Sequence, residues 1–231
     1  MIAVAILVGW IVGPAIVRST ARQSTHDQAR ESWQRVPDVL KAMGVGPGSV
    51  VADIGAGPGF FTERLARAVG PRGRVLAVDV NAEALERLRA RVQASGLTNV
   101  ETILGQADNP NLPAGALDAA LIVNAYHEMS DTAAMLAHIR AALKPTGRLV
   151  IIEPILASRR DAARDVQTRQ HEIGAEFVQQ DAHAAGFRVV RLEDPFADRP
   201  SGDTEYMLVL VPGAPLGAAD HRVNSGGAAL R

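Results

Sequence analysis

A glycine-rich turn is the first candidate for a ligand-binding site. The segment DIGAGPG (53–59) directly follows an apolar run, and a helical pattern begins after it. Glycine lets the backbone adopt positive φ, and its missing Cβ lets a ligand approach the main chain. The helix that follows such a turn points free N–H groups and the positive end of its dipole at the ligand. Because many loops contain glycine for turn geometry alone, the turn needs support from other residues.

An acidic residue supplies that support. Asp79 ends the second apolar run, where a carboxylate can accept hydrogen bonds from both hydroxyls of a ribose. Capping of the following helix is its alternative role, although Asn81 can also cap that helix. The glycine spacing differs from the dinucleotide fingerprint G-x-G-x-x-G, because Phe60 stands at the position of the last glycine. A nucleotide-containing ligand is therefore predicted, and an NAD(P)-dependent oxidoreductase stays open as an alternative.

A histidine follows the fourth apolar run and is the candidate catalytic residue. His127 can take a proton near neutral pH, and hydrogen bonding within its loop is the alternative role. Its neighbours Tyr126 and Glu128 are weaker candidates for the same role. His171 and Glu172 are interpreted as part of a solvated helix face, with a substrate lid as the alternative.

The elements that must position these residues alternate along the chain. Strands are predicted at 49–54, 74–80, 99–104, 117–123, 148–153, 187–192 and 205–211, and helices at 30–43, 60–69, 82–95 and 131–143, with a further helix that ends at Gly186. This order is typical of a doubly wound α/β fold, with a mostly parallel seven-stranded sheet and an antiparallel last strand. Ligands bind such sheets at the carboxyl ends of the strands, where the glycine turn, Asp79 and His127 fall.

Five segments, in this order, resemble the motifs of the class I S-adenosylmethionine-dependent methyltransferases, a family with a Rossmann-like fold. The resemblance is to members of this family that act on small molecules. The segments are VADIGAGPGFFT (51–62), AVDVN (77–81), GQAD (105–108), LDAALIVNAYHEMSD (117–131) and LKPTGRLVIIEP (143–154). The resemblance covers about residues 36–211. It implies S-adenosylmethionine as the cofactor and in-line transfer of its methyl group to an acceptor.

The same resemblance implies nine cofactor-binding residues: Asp53, Gly55, Gly57, Gly59, Asp79, Val80, Ala107, Asp108 and Asn124. The glycine turn and Asp53 would shape the pocket for the methionine end of the cofactor. Asp79 would hold the ribose, with Val80 against the adenine. Asp108 and the Ala107 backbone would contact the adenine amino group, and an Asx turn is the alternative for Asp108. Asn124 would lie near the amino-acid part of the cofactor.

The composition of the chain, and one segment that departs from a known motif, limit the classes of methyl acceptor that are expected. The chain has 24 basic and 25 acidic residues, so it lacks the basic surplus typical of nucleic-acid binders. It contains no cysteine, which excludes Cys-ligated zinc and a thiol nucleophile, and no metal site is predicted. The segment NAYH (124–127) departs from the Asn/Asp-Pro-Pro-Tyr segment of the amino-methylating nucleic-acid and glutamine enzymes of the class. We therefore expect a small or lipophilic acceptor, methylated on O, C or N, and no nucleic-acid partner.

Residues 1–17 contain no charged residue and would span about 26 Å as a helix. A membrane anchor, a cleaved export signal and a misplaced start codon are the three interpretations. Arginines follow this run and none precedes it, which favours an anchor with the catalytic domain in the cytoplasm. S-adenosylmethionine is made there. A soluble cytoplasmic protein and an exported one are the alternatives.

Four regions are predicted along the 231 residues. They are the apolar segment 1–17, a linker at 18–29, the methyltransferase domain at 30–211 and a disordered tail at 212–231. A membrane-tethered protein that binds the cofactor without catalysis is the functional alternative from another class.

Overall fold

The computed structural model describes residues 27–213. The predicted apolar helix at 1–17, most of the linker and nearly all of the predicted tail lie outside these residues. Within 27–213, no helix is both long enough and apolar enough to cross a membrane.

Seven strands form one sheet in the order β3-β2-β1-β4-β5-β7-β6. The strands are β1 Val50–Ile54, β2 Arg74–Asp79, β3 Val100–Leu104, β4 Leu117–Val123, β5 Leu143–Ile155, β6 Phe187–Asp198 and β7 Thr204–Pro212. Strands β1 to β5 pair in parallel, and β7 runs antiparallel to both β5 and β6. The predicted α/β fold with its antiparallel last strand is confirmed.

Helices cover both faces of the sheet. They are α1 Val36–Met43, α2 Phe60–Val69, α3 Ala82–Ala94, α4 Thr132–Ala142, α5 Arg164–Thr168 and α6 Ala175–Ala184. Along β4, Ala120 and Ile122 belong to the apolar core shared with α4 and α6, while Ala119 and Leu121 belong to the core shared with α1 and α2. Because successive strand residues point to opposite faces, a strand buried on both sides reads as a continuous apolar run.

The predicted helix at 30–43 is two helical segments. Residues 27–31 are helical, and α1 begins only at Val36 after a turn in which Arg35 has φ +47°. Pro37 lies at the start of α1, where the missing N–H of proline costs no helical hydrogen bond. A single helix would place Pro37 in its interior, which explains the break.

Two strands are longer than predicted. β5 begins at Leu143 and not at residue 148, because Leu143 pairs with Leu117 of β4. β6 continues past residue 192 to Asp198, because Ala197 and Asp198 pair with β7 across a shift of register. Pairing partners come from other parts of the chain, so local patterns do not reveal these extensions.

Candidate active site

The glycine turn joins β1 to α2 at the carboxyl edge of the sheet. The N–H groups of Gly55 and Ala56 both donate to the carbonyl oxygen of Val78 on β2, at 2.9 and 3.0 Å. Gly55 has φ +74°, and a Cβ there would lie 2.4 Å from the Cβ of Ala125. Gly57 has φ +51°, and a Cβ there would meet nothing within 4 Å. The turn therefore packs against the loop after β4 at Gly55 and faces open space at Gly57.

Asp79 is held in place beside this turn. Its Oδ2 accepts the Gly57 N–H at 2.8 Å, and its Oδ1 accepts the Asn81 N–H at 2.8 Å. Asn81, and not Asp79, caps α3, because its side-chain oxygen accepts the N–H groups of Glu83 and Ala84. Helix capping, the alternative role for Asp79, is therefore performed by Asn81, which the sequence also offers as a cap.

A cavity of about 780 Å³ opens at this edge, within the usual size range for small-molecule sites. Seven of the nine predicted cofactor-binding residues line it: Asp53, Gly55, Gly57, Asp79, Val80, Ala107 and Asn124. We call this space the first cavity. The fold thus brings together segments that follow β1, β2, β3 and β4.

The two remaining predicted residues lie outside the wall of the first cavity. Gly59 is the N-cap of α2, and a Cβ there would lie 3.1 Å from Leu88 of α3, so this glycine permits close packing of a helix. Asp108 is exposed, and Gln106 and Ala107 face the cavity in its segment. The role implied for Asp108 stays a prediction.

Asp53 is a buried carboxyl group in the wall of the first cavity. It is 3% exposed, and its Oδ2 accepts a hydrogen bond from the Thr62 hydroxyl at 2.6 Å. Burial raises the pKa of Asp53 to about 6, while the Thr62 hydrogen bond and the positive charge of Arg30 oppose this rise. The group is therefore largely ionised at neutral pH and suits a cationic partner.

The wall of the first cavity contains residues that sequence reasoning missed. Arg30 and Trp33 come from the start of the described chain, and Arg199 and Ser201 come from the turn between β6 and β7. The Arg30 guanidinium lies 4.2 Å from the ring centroid of Phe60, and that of Arg199 lies 5.8 Å from the ring of Trp33. No motif marks these residues, because folding alone brings the two ends of the domain together.

Asn124 stands between two cavities. It follows β4 with φ +54°, and its Nδ2 donates to Oε1 of Glu205 on β7 at 3.0 Å. Burial raises the pKa of Glu205, which is fully buried and also accepts from the Gln34 amide. The buried Oδ1 of Asn124 has no hydrogen-bond partner among residues 27–213. Such an atom is an available acceptor for a ligand N–H.

A second cavity of about 410 Å³ adjoins the first. The two share Asn124, Arg199 and Ser201 in their walls. His127 lines the second cavity and not the first. The predicted catalytic histidine is therefore placed next to the cofactor-binding residues, across Asn124, rather than among them.

Glu153 of β5 holds the His127 ring. Its Oε2 lies 2.5 Å from Nδ1 of His127, and its Oε1 accepts the N–H groups of Ala125 and Tyr126, both at 2.8 Å. Burial lowers the pKa of His127, but the hydrogen bond and charge of Glu153 more than offset this, so the pKa is raised above its usual 6.5. Nδ1 is occupied by Glu153, so Nε2 is the atom left for a ligand.

The neighbours of His127 differ in what they can do. Tyr126 is fully buried, and its hydroxyl donates to Asp181 of α6 at 2.7 Å, so the weaker prediction of a catalytic role for it is wrong. Burial, followed by the Asp181 hydrogen bond, raises the pKa of this phenol. Glu128 is exposed and lies in the wall of the first cavity.

The interpretation of His171 and Glu172 as a solvated helix face is wrong. Both lie in the loop between α5 and α6, and both line the second cavity. Glu172 is only 5% exposed, forms an ion pair with Arg159 and accepts the Leu156 N–H at 3.2 Å. The periodicity of α6 does not extend back to these residues, because the buried contacts of Glu172 fix the chain as a loop.

Known proteins share this domain. Residues 51–147 match the sequence family described as "Methyltransferase domain". The chain is 38% identical over 131 residues to an uncharacterized 37.1 kDa protein in a transposon of Streptomyces fradiae, across 57% of this chain and 36% of that protein. It is 30% identical over 122 residues to the ubiquinone/menaquinone biosynthesis C-methyltransferase UbiE of Hahella chejuensis, across 52% of this chain and 48% of the relative. The match thus spans about half or less of either relative.

A solved methyltransferase structure has a similar fold. A SAM-dependent methyltransferase from Aquifex aeolicus superposes with a TM-score of 0.65 at 26% identity, over 76% of this chain and 88% of that chain. The sheet order, the glycine turn and these matches define a nucleotide-binding methyltransferase domain. These matches support a class I S-adenosylmethionine-dependent methyltransferase, as the motifs imply, with S-adenosylmethionine as the cofactor. The matches give no support to the oxidoreductase alternative.

Proposed function

We propose that the chain transfers the methyl group of S-adenosylmethionine to a small, lipophilic acceptor. The observation that carries this proposal is the pair of adjoining cavities that share Asn124, Arg199 and Ser201. A methyl transfer needs a cofactor and an acceptor held end to end, so that the nucleophile attacks the methyl carbon as its bond to sulfur breaks. Two cavities that meet at the carboxyl edge of the sheet offer that arrangement.

The residues of the first cavity fit the cofactor. The open space at Gly57 admits a ligand against the backbone, and the fixed carboxylate of Asp79 lies where ribose hydroxyls would donate. The ionised Asp53 and the unpartnered Oδ1 of Asn124 suit the cationic amino group of the methionine end. When bound, S-adenosylmethionine supplies an activated methyl group, so the protein contributes mainly positioning.

The lipophilic class of the acceptor is proposed from a relative and not from the lining of its cavity. The second cavity, where the acceptor would lie, is lined mostly by polar side chains. The aromatic and thioether side chains of Trp33, Phe60, Phe61, Met129 and Met135 line the first cavity, where they would contact the cofactor. The UbiE relative, whose name refers to ubiquinone and menaquinone biosynthesis, supports this lipophilic class.

His127 is proposed as the base that removes a proton from the methyl acceptor. Such a base is needed where the nucleophilic atom of the methyl acceptor is protonated at neutral pH. Its Nδ1 is bound to buried Glu153 at 2.5 Å, an arrangement in which a carboxylate orients a base and stabilises its protonated form. In the second cavity its Nε2 would meet the acceptor on the far side of Asn124 from Asp53.

The test measures transfer of labelled methyl groups from S-adenosylmethionine to a panel of phenols, hydroquinones and more polar controls. We expect turnover with apolar acceptors, and a loss of about 10²- to 10⁴-fold in His127→Ala, which is the usual contribution of a general base. Affinity for S-adenosylhomocysteine should stay unchanged in this variant, because His127 does not line the first cavity. The matched control is His138→Ala, on the exposed side of α4.

Two outcomes would contradict parts of this proposal. Full turnover in His127→Ala would remove His127 as the base. Tight binding of S-adenosylhomocysteine without methyl transfer to any acceptor would instead favour the non-catalytic alternative.

A small-molecule acceptor, the lack of a nucleic-acid partner and membrane association through residues 1–17 are also part of the proposal. An anchor would bring the enzyme to the membrane, where lipophilic molecules concentrate. Fractionation of cells that express the full chain tests it: the anchor predicts recovery with membranes, and recovery in the supernatant would overturn it.

A further inference from the structure

We propose that His127, Glu128 and His171 form a binding site for one divalent transition-metal ion of the zinc type, beside the second cavity. The sequence predicted no metal site, because two of the ligands are separated from the third by more than forty residues. The binding of the ion does not depend on the identity of the methyl acceptor.

The geometry of the three side chains carries the proposal. Oε1 of Glu128 lies 3.8 Å from Nε2 of His127 and 3.8 Å from Nδ1 of His171. The ligand atoms of the three residues all lie within 4.8 Å of one another. A tetrahedral zinc ion with bonds of about 2.0–2.1 Å separates its ligands by roughly 3.3 Å. The exposed side chains of Glu128 and His171 need only small rotations to close that difference.

A second observation comes from the far side of the His127 ring. Metal-binding histidines almost always donate their other ring N–H to a carboxylate, a carbonyl or water, which fixes the tautomer and the ring orientation. Glu153 supplies such a carboxylate at 2.5 Å from Nδ1, and it is completely buried. The Nε2 atom of His127 is thereby kept as the free ligand atom.

The backbone at His171 is a third observation. His171 has φ +56°, a conformation that side chains other than glycine rarely adopt and that is concentrated at functional sites. Fully buried Gln167 holds the loop: its Oε1 accepts the Gly174 N–H at 2.7 Å and its Nε2 donates to the Arg159 carbonyl at 2.9 Å. The ion pair of Glu172 with Arg159 fixes the residue after His171. The loop therefore presents His171 to His127, with the two rings 5.7 Å apart and nearly perpendicular.

The ligand set selects the class of ion. Two imidazoles and one carboxylate suit zinc and its neighbours, whereas magnesium and calcium prefer ligand sets made only of oxygen. Three protein ligands leave a coordination position open, as in catalytic zinc sites. An oxygen atom of a molecule in the second cavity can fill that position. The role of His127 as a base therefore applies to the metal-free chain. In the chain with the ion bound, Nε2 of His127 would be a ligand, and the ion would lower the pKa of a coordinated hydroxyl group.

The experiment uses the full chain without a histidine tag, stripped with a chelator and titrated with Zn²⁺ by calorimetry. Metal content after dialysis is measured by mass spectrometry, and Co²⁺ serves as a spectroscopic probe of the ligand set. We expect one equivalent of Zn²⁺ per chain and an affinity at least about tenfold weaker in His171→Ala, since loss of a supporting residue alone costs 10- to 100-fold. His138→Ala, which removes an exposed histidine elsewhere, should bind Zn²⁺ as the parent chain does.

S-adenosylhomocysteine binding is measured on the same samples. It should be equal in the parent chain and in His171→Ala, because His171 does not line the first cavity, and this shows that the variant is folded. Equal Zn²⁺ affinity in the parent chain and His171→Ala, or the same loss in His138→Ala, would overturn the metal site. Neither result would affect the proposed cofactor site, which has its own titration.

Discussion

Oε2 of Glu153 lies 2.5 Å from Nδ1 of His127, and the glutamate that makes this contact has no exposed surface. Its other carboxylate oxygen accepts the N–H groups of Ala125 and Tyr126. One buried side chain on β5 therefore fixes both the loop after β4 and the ring that this loop carries. A buried carboxylate without such partners would be strongly unfavourable, so the loop and Glu153 depend on one another.

The first prediction concerns the pKa of His127. In Glu153→Gln the charge that favours the imidazolium form is gone, while burial of the ring still disfavours it, so the pKa should fall. Titration of the His127 ring by NMR, with exposed His138 as the reference resonance, measures the change. If His127 is the base, the rate of methyl transfer rises with pH through its pKa, and the inflection should move to lower pH in the variant. An unchanged pKa would show that Glu153 does not control this histidine.

The second prediction concerns the pH dependence of cofactor binding. The cationic amino group of S-adenosylhomocysteine favours ionised Asp53, whose pKa is about 6. Affinity should therefore be constant above pH 7 and fall as the pH drops through 6, by about tenfold at pH 5. Asp53→Asn should bind more weakly at pH 7.5 and lose this pH dependence. Asp165→Asn, an exposed aspartate on α5, should retain the parent profile. A pH profile in Asp53→Asn that matches that of the parent chain would contradict the assignment.

The third prediction compares the loss of stability on alanine substitution at two glycines with similar φ angles. Gly55 (φ +74°) packs against Ala125, whereas a Cβ added at Gly96 (φ +65°) would have nothing within 4 Å. Alanine at either site is destabilising because its backbone must adopt a positive φ. Only Gly55→Ala also creates a steric overlap with a neighbouring side chain. We expect Gly55→Ala to lower the free energy of unfolding by about 1–3 kcal/mol more than Gly96→Ala. Urea denaturation measures both, and equal losses would show that the turn can move away from the loop after β4.

The sequence allows prediction of the fold because buried parallel strands are continuous apolar runs and the helices between them are amphipathic. The turn at Gly55 and Gly57 and the carboxylate of Asp79 are also predictable, because each lies at the end of a strand, and such ends meet at one edge of the sheet.

Contacts that depend on register are not predictable from local patterns. Glu153 lies in a predicted strand, but its bond to His127 requires the pairing in which Val123 of β4 stands opposite Ile152 of β5. Arg30 and Arg199 line the first cavity although they come from opposite ends of the domain sequence. The helical interpretation of His171 fails because burial of Glu172, a tertiary contact, decides that its segment is a loop.

We propose that the first cavity binds S-adenosylmethionine through Asp79 and the glycine turn. The direct measurement is calorimetric titration of the chain with S-adenosylhomocysteine and, separately, with NADH. We predict one site for S-adenosylhomocysteine and none for NADH. Affinity should fall about tenfold or more in Asp79→Asn, since hydrogen bonds to a charged group contribute about 1.5–3 kcal/mol, and should not change in Glu83→Gln, an exposed residue on α3. Binding of NADH without S-adenosylhomocysteine, or equal affinity in Asp79→Asn and the parent chain, would contradict this mode of cofactor binding.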